Sequence, residues 1–155
     1  MSLSPDDSAH AARVLRLTPG NVIIICDGRG YEYEARLEQV SSRAVTARVT
    51  SGRPSTAEPN THLTLIQGVA KGAKMDLIVQ KAVEVGVSRI IPVTTERTVV
   101  RLEPAKVAAR VERWRRIAYE AAKQSGRAAI PVVETVRSWA DLWSDDEWDL
   151  VLVPW

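Results

Sequence analysis

The stretch HLTLIQGVAKGAKMDLIVQKAVEVGVSRIIPV, residues 62–93, decides the fold. It begins with an apolar run at 62–67, continues with helical periodicity at about 74–85, and ends in a second apolar run at 88–93. Strand–helix–strand spacing of this kind predicts parallel strands that are joined by a right-handed crossover.

The same alternation continues toward the end of the sequence. It predicts strands at 130–134 and 149–153, and helices at about 104–125 and 138–144. The long helix carries its apolar residues on one stripe, at Val107, Val111, Trp114, Ala118 and Ala121. Polar and basic residues border the stripe, at Lys106, Arg110, Arg113 and Gln124. Such an edge suits a helix that faces RNA, and it is also common in ordinary surface helices.

The first sixty residues follow a different pattern. Ser4-Pro5-Asp6-Asp7 has the residues of a helix start. The runs at 21–26, 31–40 and 44–49 predict a small antiparallel sheet, and Ser/Pro-rich residues 51–60 predict a linker. We therefore predict an α/β protein, in which an antiparallel β module precedes a parallel α/β domain.

Composition excludes several classes of protein. The chain has 155 residues, one cysteine and two histidines, which excludes a disulfide framework and disfavours structural zinc, so we predict no metal site. Cys26 lies in an apolar run and is predicted to be an inert core thiol. No apolar run reaches 18 residues and no signal peptide is evident, so we expect a soluble cytoplasmic protein without membrane contact.

Charge is distributed unevenly along the chain. Residues 101–137 hold nine basic and four acidic side chains, whereas residues 138–155 hold no basic and five acidic ones. The whole-chain charge of +2 therefore hides a basic block beside an acidic one. The basic block fits either a nucleic-acid contact or a solvated helix face.

Two short segments are candidates for phosphate contact. The segment Gly68–Met75 departs from a P-loop, because it is one residue short and Met75 replaces the Ser or Thr that would hold magnesium. What remains is a strand-to-helix turn with Lys71 and Lys74, which either holds a phosphate or is a plain turn. His10, Arg13 and Arg16 on the first helix fit phosphate contact as well, and they also fit an ordinary surface.

Four blocks of sequence resemble the ribosomal RNA small subunit methyltransferase E family. The first runs from His10 to Asp27-Gly28, and the second is KGAKMDLIVQKAVEVGV at 71–87. The third joins Pro92 to ERTVV at 96–100, and the fourth joins RWRRI at 113–117 to EAAKQSGR at 120–127 and Ile130-Pro131. The blocks occur in the family's order and spacing over nearly the whole chain.

The resemblance implies a PUA-like RNA-binding module at 1–56 and a SPOUT methyltransferase domain at 61–155. It implies methylation of uridine N3 in 16S rRNA with S-adenosylmethionine, by a homodimer whose partner is 16S rRNA or the small ribosomal subunit. The glycine-rich segments that form the family's knot and cofactor pocket are absent from the sequence. We therefore expect a truncated, incomplete SPOUT domain with no cofactor-binding residue in this chain.

Uridine methylation requires that the N3 proton leaves and that the base is presented away from its partner. Arg97 and Arg127 are predicted to hold phosphates, and Gln124 to read a base edge. Glu84 or Glu96 either accepts the proton or sits in a local ion pair. The full set of predicted RNA-binding residues is His10, Arg13, Arg16, Lys71, Lys74, Lys81, Arg97, Gln124 and Arg127.

Two other functions stay open at this point. The first is a non-catalytic RNA-binding module, which is consistent with the absence of the knot segments. The second is a small phosphate-binding α/β enzyme that uses the turn at Lys71–Lys74 and is indifferent to rRNA.

Overall fold

The structure is a computed structural model that describes residues 1–96, 104–143 and 148–153. The chain forms two units. The first comprises Met1–Pro59 and Gly126–Ile130, and the second comprises Asn60–Ser125 and Pro131–Trp155. The N-terminal unit therefore includes a segment that follows the longest helix in the sequence. The predicted domain ranges, 1–56 and 61–155, stay predictions.

The N-terminal unit begins with a short helix, α1 (Pro5–Ala9), that continues into a π-helical turn (His10–Val14). Ser4 caps α1, because its Oγ accepts a hydrogen bond from the amide of Asp7 at 3.1 Å. Pro5 follows the cap, where its missing N–H leaves no bond unmade. The predicted helix start is confirmed.

Three antiparallel strands in the order β1-β2-β3 form the sheet of this unit. The strands are β1 (Val22–Cys26), β2 (Tyr31–Val40) and β3 (Val45–Pro54). Their inner face packs on the π-helical turn through a small core of Ala11, Ala35, Leu37, Val45 and Ala47. The predicted linker is wrong for residues 51–54, because these extend β3 opposite the start of β2.

The prediction that Cys26 is a core thiol is wrong. Side chains alternate along β1, so Ile23 and Ile25 pack on the core while Cys26 is exposed on the other face. Partial desolvation, together with the carboxylates of Glu32 and Asp27, raises the pKa of the Cys26 thiol. A raised pKa keeps the thiol protonated and unreactive.

The second unit contains a parallel sheet whose helices follow its strands. Its elements are β4 (Thr64–Gly68), α2 (Ala73–Glu84), β5 (Arg89–Thr94), α3 (Pro104–Gln124), β6 (Val132–Val133), β7 (Arg137–Ser138) and a 3₁₀ turn (Ala140–Trp143). β4 and β6 pair with β5 in parallel, and β7 continues along β5 beyond β6. The predicted fold class, an antiparallel β module followed by a parallel α/β domain, is confirmed.

Helix α3 buries the predicted apolar stripe. Val111, Trp114, Ala118 and Ala121 are at most 4 % exposed and form one core with α2 and the sheet. Val107 is half-buried at the edge of the same core. A side chain every three or four residues therefore meets the neighbouring helix, as the 3.6-residue period requires.

Three predictions near the end of the chain are wrong. The strand predicted at 130–134 shortens to 132–133, and the helix predicted at 138–144 is replaced by the end of β7 and a 3₁₀ turn. Residues 149–153 form no strand, and residues 150–153 are 43–79 % exposed. An apolar run becomes a strand only beside a partner strand, and the described residues place none there.

Membrane spanning is not indicated by any helix in the described part of the chain, because none combines sufficient length with sufficient apolar character.

Candidate nucleic-acid interface

The turn between β4 and α2 exposes both of its lysines. Lys71 and Lys74 flank Gly72, whose φ of 62° lies in the left-handed region. Space is open around the position that a Cβ would take on Gly72, so the turn is set by backbone conformation and not by close packing. The turn therefore presents two ammonium groups at the start of a 12-residue helix.

A cleft of about 310 Å³ lies between this turn and the middle of α3. Arg110 and Arg113 line it from α3, Gly72 and Asp76 line it from the turn and α2, and the edge of the buried Trp114 contributes to its wall. The predicted basic edge of α3 is thus part of a concave surface. Two guanidinium groups in a concavity are suited to binding phosphate.

Asp76 orients one of the two arginines. Its carboxylate accepts hydrogen bonds from Nη2 of Arg113 at 2.6 Å and from Nε at 3.3 Å. The Arg113 side chain is otherwise 67 % exposed, so the ion pair restrains it at the mouth of the cleft without burying it. The second arginine, Arg110, lines the same cleft one turn earlier on α3.

Lys81 and Glu84 contact each other on α2. Nζ of Lys81 donates to Oε2 of Glu84 at 2.7 Å, and the amide of Gln80 donates to Oε1 at 2.9 Å. The hydrogen bond from Lys81, aided by Gln80, lowers the pKa of Glu84. A general base works best with a pKa near neutrality, so this environment disfavours Glu84 as a proton acceptor.

Arg127 lies in a buried ion pair within the N-terminal unit. Its side chain is 6 % exposed, and its Nη2 and Nε donate to Oε2 of Glu58 at 2.7 and 3.2 Å. The other oxygen of Glu58 accepts the amide of Ala129 at 2.9 Å. The guanidinium is therefore occupied by a protein carboxylate, whereas Gln124 at the end of α3 is exposed.

The same unit holds the segment 126–130 by further contacts. The amide of Gly30 donates to the carbonyl of Ala128 at 3.1 Å, and that of Ile130 donates to the carbonyl of Gly28 at 2.9 Å. Glu58 thus joins a set of bonds that attach this segment to the sheet. Sequence reasoning missed Glu58, although it is the one acidic residue among residues 51–60.

Burial alone raises the pKa of Glu58, but the hydrogen bonds and charge of Arg127 and the amide of Ala129 outweigh it. The net pKa of the carboxyl is lowered, and Glu58 stays ionised as its partner requires.

The remaining predicted residues lie on open surfaces. His10 and Arg13 are exposed on the π-helical turn, Arg16 is exposed two residues after it, and Glu96 is exposed just after β5. Arg97 lies outside the described residues. In the ranges 1–96, 104–143 and 148–153, no three His, Cys, Asp or Glu side chains are grouped to hold a metal ion.

Comparison with protein-family models matches both parts of the chain. An RNA methyltransferase domain matches residues 57–155, and an RNA methyltransferase PUA domain matches residues 3–50. The two matches define the class of protein, an RNA methyltransferase domain preceded by a PUA domain.

Curated relatives define the family more closely. The ribosomal RNA small subunit methyltransferase E of Bacillus subtilis is 34 % identical over 141 residues, covering 91 % of this chain and 55 % of the relative. The protein of the same name from Mycobacterium tuberculosis is 32 % identical over 133 residues, covering 86 % of this chain and 50 % of the relative. The chain belongs to the ribosomal RNA small subunit methyltransferase E family. It spans about half the length of these curated relatives.

Solved structures show the same architecture. A small subunit methyltransferase E from Neisseria gonorrhoeae, bound to S-adenosylmethionine, has a TM-score of 0.80 and 33 % identity, covering 95 % of this chain and 60 % of that one. A methyltransferase from Legionella pneumophila, in complex with the same cofactor, has a TM-score of 0.82 and 30 % identity, covering 98 % and 63 %.

Proposed function

We propose that this chain is the RNA-binding and substrate-facing part of a cytoplasmic rRNA methyltransferase that uses S-adenosylmethionine. Its substrate is 16S rRNA or the small ribosomal subunit, and its target atom is N3 of a uridine. Membership of the family supports the reaction class. The structural observation that carries the proposal is the cleft beside α3, where Arg110 and Arg113 converge near the turn at Lys71–Lys74.

The cleft suits an RNA backbone because its arginines line a concave surface and one of them, Arg113, is held in place by Asp76. Asp76 restrains Arg113, so less side-chain freedom is lost when the guanidinium binds a phosphate. Arg110 adds a second fork, and the two lysines of the turn add point charges. Phosphate contacts of this kind set the register of the RNA, which presentation of one base requires.

Neither described cleft offers an unpaired carboxylate to the sulfonium of S-adenosylmethionine. In the cleft of Arg110 and Arg113, the one carboxylate, that of Asp76, is already paired with Arg113. A second groove, of about 580 Å³ along α3, offers Glu112, but this carboxylate lies 3.6 Å from Arg115. We therefore assign no residue of this chain to the cofactor.

Of the two candidate proton acceptors, Glu96 is the better one. Glu84 is tied to Lys81 and Gln80 and has a lowered pKa, whereas Glu96 is exposed at the end of a sheet strand. The carboxyl ends of parallel strands are where ligands bind in open α/β sheets, and Glu96 follows such an end.

Binding of 16S rRNA to the double variant Arg110→Ala/Arg113→Ala tests the cleft. We expect affinity to fall by about tenfold or more at low salt, and the slope of log affinity against log salt to decrease by about one to two. Arg116→Ala is the matched control, because this exposed arginine lies on the same helix outside the cleft. Equal affinity of the double variant and the control would overturn the assignment of the cleft.

A non-catalytic RNA-binding module is the second candidate, because the carboxylates of both described clefts are already paired with arginines. Transfer of a labelled methyl group from S-adenosylmethionine to 16S rRNA separates the two when this chain is fused to the remaining part of the Bacillus subtilis relative. Label at uridine N3 supports the methyltransferase. RNA binding without methyl transfer supports the binding module.

A further inference from the structure

The π-helical turn that follows α1 ends in an unusual backbone conformation. Arg16 has a φ of 52°, in the left-handed region. The amide of Leu17 reaches back to the carbonyl of Ala11 at 2.9 Å, and that of Leu15 reaches the carbonyl of His10 at 3.1 Å. The bond from Leu17 reaches six residues back, one residue further than the closing bond of a Schellman helix end. As in that motif, the residue before the closing amide is left-handed, a place that glycine ordinarily takes.

An arginine in this place is unfavourable for the backbone. A left-handed conformation brings Cβ close to the following carbonyl, a strain that glycine avoids. In the described part of the chain Arg16 is the one non-glycine residue with positive φ, whereas six glycines adopt it. The backbone at position 16 therefore favours glycine, and an arginine there costs some stability.

The Arg16 side chain is exposed at the surface. Across residues 1–96, 104–143 and 148–153, no hydrogen bond or ion pair within the protein holds its guanidinium. The turn beneath it is anchored on both sides, because Ala11 is buried and Leu17 packs against the same core. Among the described residues, the Arg16 guanidinium is thus bound by no protein group, and the turn that carries it is packed against the core.

The surroundings of Arg16 are those of a contact surface. Arg13 and His10 are exposed on the same turn, and Val14 and Leu15 between the arginines are 65 % and 55 % exposed. Every residue from Arg13 to Arg16 is therefore open to solvent. The nearest charged side chain along the chain is Arg13, so an anion at Arg16 would meet a second positive charge.

We propose that Arg16 is an anchor for a phosphate of the RNA backbone, and that the turn keeps its strained conformation to hold the guanidinium outward. This inference rests on the proposed function, since it takes the RNA to be the ligand. A guanidinium binds phosphate through paired N–H donors, a contact that carries charge but no sequence information. Arg16 would therefore set position and affinity, not choice of sequence.

The test is Arg16→Gly, measured for both stability and RNA binding. Glycine relieves the backbone, so we expect Tm to stay equal or to rise by about 2–4 °C. Affinity for 16S rRNA should fall by about fivefold to tenfold, and the salt slope by about 0.7–0.9. Arg16→Lys keeps the charge and the strain, and should bind within about threefold of the natural chain.

Arg43→Gly is the matched control. Arg43 is exposed in the β2–β3 turn of the same unit and has no left-handed backbone. Its replacement removes the same charge without relieving strain, so neither a higher Tm nor a loss of affinity beyond about twofold is expected. Inorganic phosphate as competitor separates the two sources of ligand, since a free-phosphate site would be blocked at millimolar concentration and an RNA anchor would not.

Each result decides the inference. A stable Arg16→Gly variant with weakened RNA binding supports it. A variant that binds RNA as the natural chain does, or that is less stable than the natural chain, overturns it and leaves the proposed function intact. Failure of the natural chain to bind 16S rRNA overturns the proposed function first, and the anchor with it.

Discussion

The His10–Arg16 turn and the Gly126–Ile130 segment both belong to the N-terminal unit, and their arginines lie in opposite environments. Arg16 is exposed on a strained backbone, and no protein group among the described residues binds its guanidinium. Arg127 is 6 % exposed at the side chain and is bound by Glu58. The two arginines carry the same charge but are available for different partners.

The difference shows how burial commits a charged side chain. A buried guanidinium needs a carboxylate, because a lone charge in a poorly solvated site costs several kcal/mol. Once Glu58 supplies that carboxylate, Arg127 holds the segment 126–130 to the sheet and is not free for a phosphate. An exposed guanidinium such as that of Arg16 has no such requirement, because water solvates its charge, and it stays available to an external anion.

The largest effect is expected from breaking the buried pair. Glu58→Ala leaves Arg127 without its carboxylate and removes the acceptor for Ala129, so unfolding free energy should fall by about 3 kcal/mol. Urea denaturation measures the change. Arg48→Ala is the control, because it breaks an exposed pair with Glu38 and should cost less than about 1 kcal/mol. Equal losses in the two variants would contradict the comparison.

The ion pair between Glu58 and Arg127 also predicts that the stability of the fold depends on pH. The folded pKa of Glu58 lies below its ordinary value of 4.5, so the unfolded chain binds a proton more readily than the folded one. The stability from this group is present above the ordinary value and is lost as the pH falls through the lowered folded pKa. Thermal unfolding of the natural chain and of Glu58→Gln measures it. A decline at acid pH that is equally steep in Glu58→Gln would show that other carboxyls cause it.

The smallest effect is expected from the opposite substitution to Arg16→Gly, in which a glycine with positive φ is replaced by alanine. Gly72→Ala places a side chain, without a steric clash, on a residue with a φ of 62° and a ψ of −141°, so it should cost about 1–3 kcal/mol from backbone strain. Gly68→Ala is the control, because its surroundings are equally open and its φ is not positive. Chemical denaturation distinguishes the two. A Gly72→Ala variant as stable as the control would remove the basis for a strain at Arg16.

Local sequence patterns predicted much of the fold. The buried stripe of α3, the alternation of β2 and the capping residues of α1 appear in the sequence as spacings of a few residues, and the structure confirms them. The wrong predictions of secondary structure lie where pairing with a neighbouring strand determines whether a segment becomes a strand. Residues 51–54 became strand because β2 lies beside them, and residues 149–153 did not because the described chain places no strand there.

The candidate site was less accessible to such reasoning. The basic edge of α3 was visible as a line of arginines, but its meeting with Asp76 and the turn at Gly72 depends on how α2 and α3 pack. Glu84 was predicted either to accept a proton or to sit in a local ion pair, and it does form an ion pair, with Lys81. Glu58 carried no motif and no periodicity, so its partnership with Arg127 was not visible.

By itself the sequence determined the order of the elements as far as α3, the change from antiparallel to parallel architecture and the family, because each depends on local periodicity and on motifs at fixed spacing. Only the tertiary structure decided which cations are available to a ligand. Glu58 and Arg127 lie 69 residues apart along the chain, and Arg16 is set apart by its positive φ of 52°. Long-range pairing and a single dihedral angle leave no periodic trace in the sequence, which is why neither was predicted.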